Sequence, residues 1–308
     1  MHYASLIKEV GRGARGARDL TRDQAESLFG AMLDGTVPDL ELGALLIALR
    51  VKGESADELA GFLAALQART AALAAPPGPR TVLLPSFNGA RKQANLMPLV
   101  AQLLARAGVP VLIFGRHDFD SRVSPFELLD ALGLPASASL ADAEQRLASD
   151  RLAVLPLQIL NPGLNALMAL RPRMGVRNSS HSLAKLLDPF PASRGVRVVA
   201  VTHPEYLDSM SATLPGLTAG GGRALLMRAS EGEAYAHLRR KAHLIGFQDG
   251  CEGVPLHSLD TTDLDWPLSP ACAPTDNATL IRAMLEGREA VPPRIAEQVA
   301  VLELLARN

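Results

Sequence analysis

The sequence TVLLPSFNGARKQANLMPLVAQLLARAGVPVLIFG, residues 81–115, decides the fold of this chain. An apolar run of strand length comes first, followed by a polar loop, residues 86–93, and then by apolar side chains at helical spacing over residues 94–107. Gly108 supplies a helix stop, and residues 109–114 form a second apolar run. The pattern predicts a β-α-β unit with two parallel strands and a right-handed crossover.

The loop inside this unit is the first candidate for a functional site. A loop that leaves a strand and opens a helix is where such folds hold anions, because the amides at the helix N-terminus point outward and carry partial positive charge. Here the loop contains Gly89, Arg91 and Lys92. The sequence therefore predicts an anion-binding site between the first strand and its helix.

Composition limits the class of protein. The 308 residues are enough for a full core, and 48% hydrophobic with only 4% aromatic residues favours a helix-rich α/β protein. The net charge is -1, so a polyanionic partner would need a local basic patch. Cys251 and Cys272 have no metal or redox spacing, so a reducing cytoplasm is the expected compartment. We expect no membrane partner, since no stretch is apolar enough to span a bilayer and residues 1–20 hold no signal-peptide core.

Two domains are predicted. Residues 1–75 have the pattern of a helical module, in which Ser55 with Glu58 forms one of the capping boxes that open helices. The proline-rich tetrapeptide at residues 76–79 cannot continue a helix and marks the passage into an α/β domain at residues 80–308. Strand and helix patterns alternate in this second domain, which predicts a central, mostly parallel sheet flanked by helices.

Three stretches around the β-α-β unit resemble signatures of the anthranilate phosphoribosyltransferase family, which belongs with the nucleoside phosphorylases. In that family G-T-G-G-D and then N-x-S-T follow the first strand, and K-H-G-N-R ends the second. The matching residues here are 86–90 (SFNGA), 93–96 (QANL) and 113–117 (IFGRH). The resemblance implies a small helical domain and a larger α/β domain of the phosphoribosyltransferase type. It also implies a degenerate phosphate loop formed by Ser86, Asn88, Gly89, Asn95 and Gly115.

The degenerate loop lacks most of the groups that phosphoribosyl transfer needs. The hydroxyl residues of the family have become Asn95 and Leu96, and the lysine has become Ile113. Such groups act as a unit on the departing diphosphate, so their joint loss predicts a pseudoenzyme without catalytic residues or a cofactor. The adjacent Asp-Glu pair that holds magnesium in the transferases is replaced by Glu231 and Glu233, which are not adjacent and which either hold no metal or still supply its carboxylates. The alternative is a phosphoribosyltransferase that uses phosphoribosyl pyrophosphate and magnesium, with anthranilate or another acceptor.

The same losses resemble a divergent, YbiB-like branch of the family. Members of that branch keep the fold and the dimer, and they are similar to non-specific nucleic-acid-binding proteins. Residues 11–20 (GRGARGARDL), 38–55 and 175–190 fit the branch as well. The resemblance implies a homodimer, and the apolar helix around residues 42–49 is the expected contact surface.

Cations are concentrated in a few parts of the sequence, whereas the acids collect elsewhere. Arginine can bind phosphate oxygens in a bidentate way, and flexible glycines beside it, as in residues 11–18, let it adapt to a phosphate backbone. If folding brings these cations together, they form a groove that binds nucleic acid, and we expect the nucleic acid to be single-stranded. The alternative is that they are solvated surface residues. Phe87 and Phe114 are either core residues or base-stacking residues. The expected nucleic-acid-binding residues are Arg12, Arg15, Arg18, Arg91, Lys92, Arg116, His117, Arg171, Arg173, Arg177 and Lys185.

Overall fold

The structure is a computed structural model that describes residues 2–13, 15–117, 121–191, 194–251, 254–255 and 263–307. The helices are α1 Tyr3–Val10, α2 Arg22–Leu33, α3 Asp39–Lys52, α4 Ala56–Ala68, α5 Met97–Arg106, α6 Pro125–Ala131, α7 Leu140–Ser149, α8 Leu157–Leu160, α9 Pro162–Ala169, α10 Arg171–Met174, α11 Ser180–Leu183, α12 Pro204–Thr218, α13 Pro274–Leu285 and α14 Pro293–Arg307, with a 3-10 turn at Ala184–Leu186. The strands are β1 Thr81–Ser86, β2 Val111–Gly115, β3 Leu152–Pro156, β4 Gly195–Val201, β5 Arg223–Ser230, β6 Glu233–Ala236, β7 Ile245–Gln248 and β8 Val254–Pro255.

The chain divides into two compact units. Unit 1 consists of Met1–Ala71 with Leu157–Pro189, and unit 2 consists of Ala72–Pro156 with Phe190–Asn308. The predicted helical domain and the predicted α/β domain with a mostly parallel sheet are both present, so the predicted fold class is confirmed. Among the described residues, none of the helices combines the length and the apolar character that crossing a membrane requires.

Unit 1 is helical throughout its described residues. The predicted capping boxes open α2 and α4, where the Thr21 and Ser55 hydroxyls accept the amide three residues on. Helices α2 and α4 pack closely, and the Phe29 and Phe62 rings meet with centroids 4.9 Å apart. Capping therefore fixes where α2 and α4 begin, and the aromatic contact holds the two helices together.

Residues 157–189 lie in unit 1, although their place in the sequence had assigned them to the α/β domain. The segment follows β3 directly, so chain order alone groups it with the sheet. The Asn161 side-chain amide donates to the Thr70 hydroxyl at 3.0 Å, and the Ala71 amide donates to the Leu160 carbonyl at 3.0 Å. These contacts make the helical unit discontinuous in sequence.

Unit 2 is built on one sheet. In the described residues the strand order is β3-β2-β1-β4-β5-β7-β8, and β6 pairs with β5. Strand β1 pairs in parallel with β2 and β4, which confirms the predicted β-α-β unit, while β6, β7 and β8 pair antiparallel. Every residue of β1 and β2 is buried, as expected for strands covered on both faces.

Helix α5 covers this sheet and sets one end of the loop after β1. It begins at Met97, later than the pattern indicated, because the Asn95 side-chain oxygen accepts the Met97 amide at 3.0 Å and the preceding residues are drawn into the loop. Leu99, Val100 and Leu104 of α5 pack into the core with residues of the sheet, α13 and α14. The helix therefore holds the loop against a rigid apolar layer.

Candidate functional site

The carboxyl ends of β1 and β2 lie side by side and position the candidate site. Ser86 and Gly115 are partners in the register of the two strands. A side chain at Gly115 would place its Cβ 1.6 Å from the Ser86 carbonyl oxygen, so only glycine allows this approach. The Arg116 amide donates to the same oxygen at 3.2 Å. The loop after β1 and the chain after β2 are therefore fixed next to each other.

The loop after β1 forms a cradle of hydrogen-bond donors around one carboxylate, that of Glu233. Glu233 Oε1 accepts the backbone amides of Phe87 at 3.2 Å, Asn88 at 2.7 Å and Gly89 at 3.1 Å. Oε2 accepts the Ser86 hydroxyl and, at 3.2 Å, the Asn95 side-chain amide. Successive amides that converge on one point make an anion-binding concavity. The predicted anion-binding loop exists, and a carboxylate of the same chain lies in it.

A tight hairpin between β5 and β6 brings that carboxylate to the loop. Glu231 and Gly232 form its turn, with φ angles of 52° and 92°, the pair of positive values that two-residue hairpins require. A left-handed conformation at a non-glycine residue costs about 1 kcal/mol or more. Glu231 Oε2 offsets this cost by accepting the Arg91 and Lys92 amides at 3.1 and 3.3 Å.

Further hydrogen bonds lock the hairpin to the loop. The Asn88 side chain donates to the Gly232 carbonyl at 2.6 Å. Arg122 donates to the Glu231 carbonyl at 3.0 Å and to the Gly89 carbonyl at 3.4 Å. The Ala90 and Val123 backbones exchange hydrogen bonds of 3.1 and 2.8 Å. Loop and hairpin therefore form one interlocked structure.

Two buried polar side chains support the far side of the loop. Gln93 donates to the Ser230 hydroxyl and, at 3.0 Å, to the Tyr235 hydroxyl. Tyr235 donates to the Ala94 carbonyl at 3.1 Å. Burial raises the pKa of Tyr235 well above its ordinary value, so the phenol stays protonated and can keep donating.

The Glu233 carboxylate does not fit a magnesium site. Both oxygens of the Glu233 carboxylate already accept hydrogen bonds from donors that point at them, and a cation placed there would face the same N–H and O–H groups. Mg²⁺ instead requires carboxylate and substrate oxygens at near-ideal octahedral positions. Within the described residues, no group of three or more His, Cys, Asp or Glu side chains could hold a metal ion.

The predicted residues of unit 2 are brought together. Ser86, Asn88, Asn95 and Gly115 are buried around the Glu233 carboxylate, as is the amide of Gly89. The four predicted cations of this unit lie in the two segments that follow the adjacent ends of β1 and β2, namely Arg91 and Lys92 after β1 and Arg116 and His117 after β2. Arg91 and Lys92 are exposed, whereas Arg116 and His117 are half-buried.

Phe87 and Phe114 are 2% and 1% exposed, so they are core residues and the base-stacking alternative is wrong for both. Phe114 lies in a buried strand, and Phe87 directly follows one. Their rings are therefore needed for packing and present no face to a ligand.

The predicted residues of unit 1 lie in separate segments. Arg12, Arg15 and Arg18 are exposed between α1 and α2, where Arg12 lies 4.0 Å from Glu9 and donates to the Lys8 carbonyl at 3.1 Å. Arg171 and Arg173 are in α10, Arg177 is in the loop before α11, and Lys185 is in the 3-10 turn. Arg173 lies 3.6 Å from Asp39, so part of its charge is balanced.

Helix α11 carries His181 but does not extend to Lys185. Helix α11 stops at Leu183, and the chain continues as a 3-10 turn. The Ser179 side chain does not cap this helix, and the Asn178 side chain instead accepts the Ser180 amide at 3.0 Å. His181 is buried and Lys185 is half-buried, so they do not form a shared exposed cationic face.

A basic turn in unit 2 was left out of the predicted site. Arg239, Arg240 and Lys241 are exposed. His237 Nδ1 accepts the Arg239 and Arg240 amides at 3.2 and 3.1 Å. Burial lowers the pKa of His237, and the charges of Arg240 and Arg228 lower it further, so the ring is neutral at pH 7 and can accept both amides. The turn is thus held by a neutral histidine while its cations face outward.

Sequence reasoning missed the role of Glu233 in the loop. It considered Glu231 and Glu233 only as replacements for a metal-binding pair. The dipeptide Glu231-Gly232 between two short apolar runs is a signal for a hairpin turn, since glycine suits the positive φ that such turns need. That signal could predict the hairpin, but it could not predict which loop accepts the two glutamate carboxylates.

Comparison with known proteins relates the whole chain to one group. Residues 4–70 match the helical bundle domain of the glycosyl transferase family. Over 301 residues the chain is 40% identical to YbiB of Escherichia coli (strain K12), an uncharacterized protein, and the match covers 97% of this chain and 93% of YbiB. It is 27% identical over 287 residues to the anthranilate phosphoribosyltransferase of Methylocella silvestris, covering 91% and 79% of the two chains.

Solved structures agree with the fold. The crystal structure of anthranilate phosphoribosyltransferase from Thermus thermophilus has a TM-score of 0.78 at 23% identity and covers 99% of this chain and 88% of that one. The Saccharomyces cerevisiae enzyme in complex with PRPP and Mg has a TM-score of 0.72 at 16% identity, with the same coverage. At these identities the likeness shows the fold alone.

Proposed function

The chain belongs to the anthranilate phosphoribosyltransferase-like family that includes YbiB, and we propose that it is a non-catalytic, sequence-independent nucleic-acid-binding protein. The observation that carries the proposal is the filled loop after β1. Its amides at residues 87–89 are taken by Glu233, and those of Arg91 and Lys92 are taken by Glu231. A loop whose donors are already satisfied by its own chain has none left for a diphosphate.

The filled loop argues against phosphoribosyl transfer for an electrostatic reason. Transfer requires donors that stabilise the growing negative charge on the departing diphosphate. A buried carboxylate at the same donors would repel that charge, since like charges in a protein interior interact strongly. Ile113 stands at the position of the family lysine, so the charge of that lysine is missing as well. Pseudoenzyme character follows, and the proposed binding function requires no cofactor.

Exposed cations support nucleic acid as the partner. In unit 2 the side chains of Arg91 and Lys92 are exposed while their amides are held by Glu231, so the cations point outward from a fixed backbone. In unit 1 the segment from Arg12 to Arg18 has exposed arginines and contains no acid. Cations of this kind bind phosphates of any sequence and release counterions on binding.

Fluorescence anisotropy with a random-sequence single-stranded oligonucleotide tests the proposal. We expect sub-micromolar affinity at low salt and a linear fall of log affinity with log salt concentration. Lys92→Ala should weaken binding to all sequences alike and reduce the magnitude of the salt slope by about 1. Duplex DNA of the same length shows whether single strands are preferred.

Arg288→Ala is the matched control, because Arg288 is an exposed cation already paired with Glu286. We expect this control to bind the oligonucleotide as the wild type does. Absence of binding at low salt would overturn the proposal. If the salt slope is unchanged both in Lys92→Ala and in the double variant that also carries Arg91→Ala, then these two loop cations do not contact the nucleic acid.

The alternative is a phosphoribosyltransferase, which the enzymes among the relatives favour. In that case wild-type protein should convert phosphoribosyl pyrophosphate and anthranilate in the presence of magnesium, and Asn95→Ala should reduce turnover. Turnover by the wild type would overturn the assignment as non-catalytic. Its absence, with oligonucleotide binding intact, is the result we expect.

We further propose that the protein forms a homodimer through unit 1. An apolar groove of about 480 Å³ lies there, lined by residues of α1 and α3 that include Ile7, Val10 and Ile47. Within the expected contact helix around residues 42–49, Leu45, Leu46 and Leu49 are fully buried in the core and leave Ile47 as the exposed large apolar side chain. The exposed apolar side chains Leu40, Ile47 and Val51 remain for the partner.

A further inference from the structure

The Glu233 carboxylate has the hydrogen-bonding environment of a bound ligand. Five donors among the described residues converge on it, three to one oxygen and two to the other. Glu233 is 1% exposed, and the donors Ser86, Asn88 and Asn95 are no more exposed than that. A buried carboxylate with this many donors is well satisfied, because charge-assisted hydrogen bonds are the strong ones.

The donors are of a kind that does not distinguish a carboxylate from a phosphate. Three successive amides and a hydroxyl offer N–H and O–H groups to any oxyanion of suitable size. The occupant differs from a free ligand in being tethered, since the hairpin holds Glu233 at the loop through Glu231 and Gly232. A tethered group competes at a high effective concentration, which a dissolved anion has to exceed.

We propose that Glu233 is a built-in occupant that blocks an otherwise competent oxyanion cradle, and that the cradle binds a phosphate group once this carboxylate is removed. The inference rests on the proposed function and deepens it, because it names the contact that keeps this scaffold from holding a diphosphate. Glu233 thus excludes dissolved anions from the cradle. The donors that it occupies are the side chains of Ser86 and Asn95 and the amides of residues 87–89.

Isothermal titration with inorganic pyrophosphate tests the inference, with Glu233→Ala compared with the wild type. Removing the carboxylate leaves the donors open and takes away a negative charge, so affinity for pyrophosphate should rise by roughly tenfold or more. The wild type should give no heat of binding at millimolar pyrophosphate. Thermal unfolding provides a second readout, because pyrophosphate should raise the Tm of Glu233→Ala and leave that of the wild type unchanged.

Glu286→Ala is the matched control, since it removes an exposed carboxylate of unit 2 that is paired with Arg288 and belongs neither to the cradle nor to the hairpin. It should bind no pyrophosphate. Glu233→Gln keeps the shape of the side chain and covers the case in which Glu233→Ala does not fold. Its neutral amide holds the donors more weakly, so pyrophosphate affinity should lie between those of the wild type and Glu233→Ala.

Two results would overturn the inference. One is wild-type protein that binds pyrophosphate as tightly as Glu233→Ala, and the other is a folded Glu233→Ala or Glu233→Gln variant that binds none. Oligonucleotide binding by the wild type is measured separately. If the wild type binds no oligonucleotide but Glu233→Ala binds pyrophosphate, the nucleic-acid function is rejected and the blocked cradle is retained. If the wild type binds the oligonucleotide but Glu233→Ala binds no pyrophosphate, only the blocked cradle is rejected.

Discussion

Gly115 shows how one residue fixes the site. The strands β1 and β2 approach so closely at their ends that a Cβ on Gly115 would collide with the Ser86 carbonyl oxygen. That oxygen is backbone and belongs to a fully buried strand, so it cannot move aside cheaply. The single glycine retained from the family signature on β2 is therefore explained by packing, without reference to a ligand.

Gly115→Ala should destabilise the protein by about 3 kcal/mol or more, because overpacking against buried backbone has no local relief. Urea unfolding followed by circular dichroism measures the change. Gly216→Ala is the control, since Gly216 lies in α12 with nothing within 4 Å of an added Cβ. It should leave stability unchanged or raise it by up to about 1 kcal/mol through helix propensity. Equal stability of the two variants would contradict this account.

At the scale of elements, a buried carboxylate joins α3 to α4 in unit 1. Glu58 is fully buried, and Lys52 Nζ lies 2.6 Å from its Oε2. The Leu20 and Ser55 amides donate to the same carboxylate at 3.0 and 2.8 Å. Glu58 therefore completes the α4 cap, accepts the Leu20 amide just before α2 and pairs with a lysine whose side chain is 8% exposed.

Glu58→Ala should reduce the free energy of unfolding by about 3 kcal/mol or more. It leaves a largely buried lysine without its buried partner and two amides without an acceptor. The comparison is Asp34→Ala, which removes one partner of the Arg69–Asp34 pair at the surface. That change should have little effect, because exposed ion pairs are weak. A small loss for Glu58→Ala in denaturant unfolding would show that the pair is dispensable.

At the scale of the whole molecule, self-association is the property that unit 1 predicts. Ile47 and Val51 are 41% and 72% exposed on a helix whose other apolar face is already buried. An apolar groove beside them is a surface that a second copy can cover in a two-fold dimer. Dimerisation would also present two copies of each basic segment and strengthen nucleic-acid binding through multivalency.

Ile47→Glu should convert the proposed dimer into a monomer, because it places a charge in an apolar contact and weakens association by about tenfold or more. Size-exclusion chromatography with light scattering measures the mass, and circular dichroism verifies the fold. Leu304→Glu is the control, since Leu304 is 47% exposed on α14 of unit 2. It should remain dimeric. A monomeric wild type, or a dimeric Ile47→Glu, would contradict the proposed interface.

The sequence by itself determined the helical module, the β-α-β unit and the anion-binding character of the loop after β1. These features depend on local order, such as apolar periodicity, capping residues and a glycine after a strand, and local order is written in neighbouring residues. The assignment of Phe87 and Phe114 was left open by the sequence, because burial depends on what packs against a side chain.

Only the tertiary structure decided what the loop holds and where the helical unit ends. Glu233 is 147 residues from Ser86 in the sequence, and the hairpin meets the loop because β5 and β1 belong to one sheet. Residues 157–189 rejoin the helices in the same way, through contacts that chain order does not indicate. The physical reason is that a sequence pattern specifies the conformation of a segment, whereas the partner of a buried donor is chosen by the packing of distant segments.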